Sequence, residues 1–311
     1  MKARRALPSG IPKGTGTGVL SAIPAERLRL RVRKTVSAVM LGLTAVATLA
    51  AILPLLWILS YVLRQGMAAL DLTFLTSLPT PVGVPGGGIA NAIVGSLLTV
   101  SIGLILAAPV AVLAATYVAS HPNTSLGIGI RFATDVVSGI PSIVMGIFAY
   151  TLIVLHQRHF SALSGSVALG LIMLPIIIRT TEEMLRLVPH TLNEGSLALG
   201  APSWKTQLSV VLPAAGNGLL TGVMLAVARA AGEAAPLLFT AFGNPFMNTD
   251  PEQPVATLPH TIFVYAISPY EDWRAKAWAA ALVLITFVLA LNIAARLLVW
   301  WRGRRLGSVT L

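Results

Sequence analysis

The chain has 311 residues, of which 55% are hydrophobic and 11% are charged, and its mean hydropathy is +0.81. This composition excludes a soluble domain of ordinary type and predicts a protein that crosses a membrane several times. The net charge of +11 does not indicate a nucleic-acid partner, because Lys and Arg lie in tails and loops beside apolar segments, without interleaved aromatic residues.

The amino-terminal third begins with a strongly basic segment. Residues 1–34 hold nine Lys or Arg and one acid, and we expect an unstructured cytosolic tail there. The apolar run 35–64 is too long for the apolar region of a secretion signal, so it is predicted to be a retained first span. Residues 65–89 contain no Lys or Arg after Arg64 and are rich in Pro and Gly, which predicts an external loop.

Five further spans are predicted from apolar length. They cover about 90–118, 135–155, 160–178, 212–241 and 277–300, and a basic cytosolic tail follows at 302–311. Residues 121–134 are predicted to form a cytosolic loop, and 244–276 an external loop with an amphipathic segment at 259–267. The third span opens with Gly139 and Pro141, which weaken helical hydrogen bonding, so this end is expected to be buried in protein or to line a cavity.

The distribution of positive charge sets the predicted orientation. With six spans and both ends inside, fifteen of the 22 Lys and Arg fall in cytosolic tails or loops, and four fall outside. The four at outside positions are Arg64, Arg158, Arg274 and Lys276. The inverted orientation would place fifteen outside, against the usual excess of positive charge on the cytosolic side.

A polar gap at residues 191–213 separates the fourth and fifth spans. Thr191 or Asn193 is predicted to cap a short helix with Glu194 in its first turn, where a carboxylate suits the helix dipole. Gly200 is predicted to end that helix in the left-handed conformation, and Pro202 blocks its continuation. The expected structure is a helix, a tight turn and a second helix at the membrane surface.

This gap resembles the EAA loop of ABC-importer permeases. The matching positions are Glu194, Gly200, Leu212 and Pro213, with Val210 in place of Ile and with Gly195 and Ser196 in place of two Ala. The resemblance implies that this segment, which we call the coupling loop (residues 191–213), docks in a groove of a cytosolic ATPase. The alternative is an ordinary amphipathic loop.

Two ionisable residues lie within the predicted fifth span. Arg229 and Glu233 are costly there unless each faces a partner or water. Four residues apart, they are predicted to share one helix face, so one interpretation is a self-neutralising pair buried in the helix bundle. The alternative is that Arg229 lines an anion path and binds an oxyanion with its planar guanidinium, while Glu233 orients it or accepts a hydrogen bond from protonated phosphate.

Arg179 ends the predicted fourth span, where a basic residue is also ordinary membrane topology. Glu182 and Glu183 follow it and are predicted to be solvated loop acids. The chain contains no Gly-x-x-x-x-Gly-Lys-Ser/Thr motif, so it is expected to hold no cofactor, and ATP to be bound by a partner ATPase. The absence of cysteine and the scattered positions of the five His indicate no metal site.

Beyond the coupling loop, the chain resembles the PstA-type permeases of phosphate-specific ABC importers. The matching stretches are residues 137–144, 174–182, 229–240 and 277–282, although Ala234 stands where that family usually has Thr. The resemblance implies an all-α permease of the type I (MetI-like) fold, with its transmembrane domain at 90–301, in a bacterial plasma membrane. It also implies that Arg179, Arg229 and Glu233 serve phosphate passage.

The same resemblance implies several partners. These are a homologous second permease (PstC-type), a cytosolic ATPase dimer (PstB-type), an external phosphate-binding protein (PstS-type) and membrane lipid. Three other functions stay open at this point: the same machine for sulfate, molybdate or phosphonate; a secondary transporter or channel gated by Arg229 and Glu233; and a membrane enzyme. The spacing of the coupling loop argues against the second, and the lack of a catalytic constellation argues against the third.

Overall fold

A computed structural model of the protein describes residues 22–84 and 86–305. These residues are mainly helical and contain no strand apart from an isolated bridge between Phe242 and Val255, which confirms the predicted all-α class. The helices are α1 (Ala22–Ala68), α2 (Leu72–Thr76), α3 (Ala90–Ser120), α4 (Ser125–Gly139), α5 (Ser142–Ala149), α6 (Leu155–Gln157), α7 (Ala162–Arg186), α8 (His190–Ala198), α9 (Ser203–Thr206), α10 (Leu212–Ala214), α11 (Gly216–Ala231), α12 (Ala235–Leu238), α13 (Leu258–Ala266) and α14 (Glu271–Arg305). Short π-helical turns at Tyr150–Val154 and Gln207–Val211 join α5 to α6 and α9 to α10.

The chain divides into two compact units, and the first ends at Tyr61. Its described part is a single stretch of α1 whose side chains are exposed from Arg29 onward. Hydroxyl groups in this apolar stretch bond to carbonyls of the same helix: Thr44 Oγ1 donates to Met40 O at 2.8 Å, and Thr48 Oγ1 donates to Thr44 O at 2.7 Å. These bonds satisfy groups that lipid cannot satisfy.

In the second unit, which starts at Val62, α7 is the central helix. Helix α3 packs against it through small residues at every fourth position: Gly103, Ala107, Ala111 and Ala115. A Cβ on Gly103 would lie 2.7 Å from the carbonyl oxygen of Ser166 on α7, so only glycine permits this approach. Small residues at such spacing are typical of helix contacts inside membranes.

Helix α11 contacts another side of α7 in the same way. A Cβ on Gly218 would lie 2.6 Å from Met184 Cγ, and a Cβ on Gly222 would lie 2.6 Å from Thr180 Cβ. Both glycines and both α7 residues are four positions apart, so the two helices meet along matching stripes. This packing places the end of α11, where Arg229 lies, beside α7.

Four helices among the described residues are long and apolar enough to cross a membrane: Arg29–Ala68, Ala90–Ser120, Ala162–Arg186 and Glu271–Ala294. Two bent pairs raise the number to six if each pair is one span. They are Ser125–Gly139 with Ser142–Gln157, bent by 107°, and Ser203–Ala214 with Gly216–Ala231, bent by 74°. The first bend lies at Ile140 and Pro141, where the sequence predicted weakened helical bonding.

Three sequence predictions about loops and tails are wrong for the described residues. The basic tail 1–34 is helical from Ala22 on, because residues 25–34 are mostly strong helix formers and Pro24 lies in the first turn, where it is tolerated. Residues 121–134 are not all loop, since Thr124 caps α4 by accepting a hydrogen bond from Gly127 N at 3.1 Å.

Helix α7 continues past residue 178 to Arg186 and includes both predicted loop acids, Glu182 and Glu183. Residues 1–21 and 306–311 of the two predicted tails lie outside the described residues.

Candidate functional site

The coupling loop forms the predicted helix, turn and helix, with a specific cap at Gly200. Gly200 has φ +81°, in the left-handed region, as its sequence position predicted. Its N–H donates to Leu197 O at 2.9 Å, and the N–H of Ala201 donates to Ser196 O at 3.2 Å. These two bonds are the Schellman pattern, which satisfies the free carbonyls at the end of α8.

The predicted N-cap of this helix is wrong by two or four residues, because the observed N-cap is Pro189. Helix α8 begins at His190 after Pro189, without a side-chain cap, so neither Thr191 nor Asn193 is the N-cap. Pro189 has φ −57°, and the amide proton that it lacks would have no helical acceptor at this position. Glu194 therefore lies in the second turn rather than the first.

The second half of the coupling loop is tied to the first half and to α7. The hydroxyls of Ser196 and Thr206 lie 2.9 Å apart and join α8 to α9. Further along, Val211 and Ala215 are buried against Leu185 of α7, and Leu212 packs on the same cluster. The coupling loop is therefore packed directly on the end of α7.

The outer face of the coupling loop exposes large apolar side chains. Leu199 is 90% exposed and Trp204 is 67% exposed, and Leu192 and Leu197 are also exposed. Glu194 and Gly195 lie on the exposed surface too, and a Cβ on Gly195 would meet nothing within 4 Å. An apolar surface of this kind at the end of a short helix is typical of a protein contact site.

Arg229 and Glu233 do not share a helix face. Helix α11 ends at Ala231, Gly232 is its C-cap, and the N–H of Glu233 donates to Ala230 O at 3.1 Å in a turn. Arg229 Nε lies 4.0 Å from Glu233 Oε1, which is an ion pair at the limit of contact, and the Arg229 side chain is 62% exposed. The self-neutralising pair on one helix is therefore replaced by a looser contact across a helix end.

Arg229 lines a small cavity beside the break between α4 and α5. The cavity has a volume of about 60 Å³, and its walls include Ser138, Ser142 and, from α7, Pro175 and Ile176. The side chains of the two serines and of Arg229 make the lining of this cavity partly polar. The structure thus places a cavity at the Gly and Pro segment, as the sequence predicted.

Arg179 lies in a different cavity and has a partner that the sequence analysis did not identify. It forms an ion pair with Asp135 of α4, and both side chains are about half exposed. Their cavity has a volume of about 270 Å³ and is also lined by Arg131, Glu182, Glu183 and Arg186. Arg179 follows Ile176 by three residues, about 4.5 Å along the α7 axis, so residues that line the two cavities are neighbours on this helix.

Sequence reasoning missed Arg131 and Asp135 because it placed the first in a loop and the second at the start of a span. In the structure both lie on α4, one helical turn apart, and both contact α7. A signal was present, since opposite charges four residues apart followed by an apolar segment are typical of an amphipathic helix. Glu182, predicted to be a solvated loop acid, is instead mostly buried between Arg131 and Arg186.

A larger cavity, of about 730 Å³, lies elsewhere in the second unit. Its walls are mainly apolar and aromatic, and they include Phe242, Phe246, His260, Tyr265 and Trp273. Burial lowers the pKa of His260 below its usual value of 6.5, so the imidazole stays neutral near pH 7. With no Lys or Arg among its described lining residues, this cavity does not suit an anion.

Comparisons with known proteins agree on one family. Residues 107–302 match the family described as "Binding-protein-dependent transport system inner membrane component". The chain is 42% identical over 273 residues to the phosphate transport system permease protein PstA of Haemophilus influenzae, covering 88% of this chain and 96% of that protein. It is 44% identical over 245 residues to the protein of the same name from Yersinia pestis, covering 78% and 83%.

Solved structures show the same fold. The MetNI methionine ABC transporter in an inward-facing conformation (native crystal form) aligns with a TM-score of 0.55 at 20% identity, over 68% of this chain and 93% of that chain. A second crystal form of that transporter aligns with a TM-score of 0.52 at 19% identity. The expected type I, MetI-like permease fold is confirmed.

Proposed function

We propose that this chain, which belongs to the binding-protein-dependent transport inner membrane components and within them to the PstA-type phosphate permeases, forms half of a membrane path for inorganic phosphate. The observation that carries the proposal is the 42–44% identity to phosphate permeases over most of the chain. The chain is a permease subunit of an ATP-driven importer, and ATP hydrolysis belongs to a separate subunit. It works with an ATPase and a substrate-binding protein.

The specific partners follow from the phosphate assignment. We infer that the chain pairs with a homologous PstC-type permease and a PstB-type ATPase dimer, and receives phosphate from a PstS-type binding protein outside the membrane. The exposed Leu199 and Trp204 support docking of the coupling loop on the ATPase, because apolar and aromatic anchors dominate the free energy of such contacts. The buried contact of Val211 with Leu185 would carry that motion into α7.

Arg229 is the best candidate for contact with the anion. A guanidinium cannot face lipid without a large cost, and Arg229 is more than half exposed in the single chain. It therefore faces either water or the second permease in the assembled importer. Glu233 is less exposed and too far from Arg229 for a hydrogen bond, so the guanidinium retains donors for phosphate oxygens.

Transport by the assembled importer tests the function. The complex of both permeases, the ATPase and the binding protein would be placed in lipid vesicles, and ATP-dependent uptake of labelled phosphate measured. Unlabelled phosphate should compete, whereas sulfate, molybdate and a phosphonate should not. Uptake of one of those three in place of phosphate would assign the same machine to another oxyanion, and uptake without ATP would indicate a secondary transporter or channel.

The membrane orientation is a separate proposal. We infer from the charge distribution that both termini and the coupling loop are cytosolic, in the plasma membrane of a bacterium. Single cysteines at His190 and Thr249, both exposed positions in this cysteine-free chain, report the two sides. In right-side-out membrane vesicles an impermeant thiol reagent should label Thr249→Cys and not His190→Cys, and the reverse pattern would overturn the orientation.

A further inference from the structure

Two ion pairs join α4 to α7, and each helix contributes one positive and one negative side chain. Arg131 and Asp135 lie one turn apart on α4, and Glu182 and Arg179 lie about one turn apart on α7. Arg131 pairs with Glu182, and Asp135 pairs with Arg179. Because α4 and α7 run in opposite directions here, each positive residue meets a negative one, and the pattern fixes the register of the two helices.

The two ion pairs differ in burial and in the number of hydrogen bonds that each makes. Glu182 is only 12% exposed and accepts hydrogen bonds from Arg131 at 2.8 Å and Arg186 at 2.6 Å. Arg131 also donates to Pro122 O at 3.1 Å and Val118 O at 3.3 Å, which anchors it to the end of α3. Asp135 and Arg179, in contrast, are half exposed and have only each other as ion-pair partners among the described residues. The pair of Arg131 with Glu182 is therefore held by several hydrogen bonds, whereas the pair of Asp135 with Arg179 is open to solvent.

The cavity that is lined by both ion pairs has no net formal charge. Its lining comprises three arginines (Arg131, Arg179, Arg186) and three acids (Asp135, Glu182, Glu183). The formal charges therefore balance, so the cavity has no excess positive charge for an entering phosphate. To bind Arg179 with two oxygens, it has to replace the carboxylate that already occupies the guanidinium, and the exposed Asp135 is that carboxylate.

We propose that Asp135 is the internal counter-anion of Arg179, exchanged with phosphate at the coupling-loop end of α7 so that the anion is released to the cytosol rather than retained. The inference rests on the proposed function, since it takes phosphate as the substrate and this end as cytosolic. An arginine without a competing anion would hold phosphate from the cytosol and slow the next transport cycle. Asp135 acts through Arg179 and is a positioning residue.

Inhibition of uptake by phosphate inside the vesicle measures this exchange directly. The initial rate of ATP-driven uptake would be followed at rising internal phosphate, with ionic strength held constant by chloride. External capture by the binding protein does not enter this readout. For Asp135→Asn we expect the internal phosphate concentration that halves the rate to fall about two- to fivefold, because an exposed ion pair shifts an equilibrium by about that factor.

Glu183→Gln is the matched control. It removes one negative charge from the same cavity, but the structure gives Glu183 no ion pair with Arg179, so its half-inhibition concentration should stay at the wild-type value. In an Arg179→Gln background, Asp135→Asn should have no further effect. An equal shift in Glu183→Gln, an undiminished shift without Arg179, or the absence of any shift in Asp135→Asn would each overturn the proposal.

The outcomes separate this proposal from the proposed function and from a purely structural role. If wild-type complex fails to move phosphate, the function itself is wrong. If Asp135 only holds α4 in place, Asp135→Asn lowers the amount of assembled complex and the rate at zero internal phosphate, without changing the half-inhibition concentration. Coelution of the ATPase with each variant and the rate at zero internal phosphate are therefore measured beside the titration.

Discussion

Arg131 on α4 donates through Nε to Oε1 of Glu182 on α7 at 2.8 Å, although 51 positions separate the two residues in the sequence. Glu182 also accepts from Arg186, one turn further along α7. A carboxylate that is 12% exposed and held by two guanidinium groups joins the first bent helix pair to the central helix. The end of α7 beside the coupling loop is therefore tied to α4.

Removal of this carboxylate is expected to destabilise the protein. Glu182→Ala leaves the partly buried Arg131 without its acid, a loss of about 1–3 kcal/mol between the values for exposed and fully buried pairs. The measurement is the temperature at which the detergent-solubilised complex loses its monodisperse elution peak. Glu183→Ala, at an exposed neighbouring position of α7, should leave that temperature unchanged, and equal losses for the two variants would contradict the role of Glu182.

Gly200 is expected to tolerate no β-branched residue. At φ +81° an L side chain costs about 1–2 kcal/mol, and a β-branched one more, so Gly200→Val should distort the turn after α8. The variant should insert in the membrane but lose its ATPase on copurification, because the turn orients Leu199 and Trp204.

Gly195→Ala is the control for the same loop. Gly195 lies inside α8 with nothing within 4 Å of its Cβ position, so alanine should be accepted and favour the helix by about 1 kcal/mol. Normal copurification of Gly200→Val, or loss of the ATPase from Gly195→Ala, would contradict this assignment of the coupling loop.

These positions also show how far the sequence predicts the structure. The left-handed Gly200 follows from local chemistry, because glycine adopts this conformation without strain and Pro202 prevents the helix from continuing. The ion pair of Arg131 with Glu182 is not predictable in this way, since each residue alone is an ordinary charge near a span end. It depends on α4 starting at Ser125, inside the segment 121–134 that was predicted to be a loop.

The candidate anion site is likewise only partly predictable from the sequence. Apolar surroundings single out Arg229 and Glu233 as unusual, and that argument needs no tertiary structure. Their geometry does need it: Gly232 ends α11 and moves Glu233 off the helix face, which a spacing of four residues cannot indicate. Asp135 was placed at the start of a span, and its ion pair with Arg179, 44 positions away, depends on how α4 packs on α7.

The packing of α11 on α7 provides a test of the fold itself. A methyl group on Gly222 would overlap Thr180, with Cβ atoms 2.6 Å apart, so Gly222→Ala should cost about 1–3 kcal/mol as the helices separate. Gly216→Ala, on the same helix with nothing within 4 Å, should cost nothing. Both are measured by the thermal stability of the purified complex, and equal tolerance of the two changes would contradict this contact.

The last prediction concerns Arg229 and separates contact with phosphate from neutralisation of Glu233. If Arg229 only balances Glu233, a double change of Arg229→Gln and Glu233→Gln should preserve both assembly and transport, because neutral residues often replace an ion pair without loss. If Arg229 contacts the passing anion, the double variant should assemble with its ATPase and move phosphate at least about tenfold more slowly, since the loss of a charged hydrogen-bond donor costs about 1.5–3 kcal/mol.

Arg229→Lys distinguishes charge from geometry at the same position. Lysine keeps a positive charge near Glu233 but lacks the planar pair of donors, so a bidentate phosphate contact should be impaired while a plain charge pair should be spared. The separation of 4.0 Å exceeds hydrogen-bond length, so Glu233 leaves the guanidinium donors free to contact an anion. We therefore expect both variants to copurify with the ATPase and to show reduced ATP-driven phosphate uptake in vesicles. Near-normal uptake by the double Gln variant would show that Arg229 does not bind the anion.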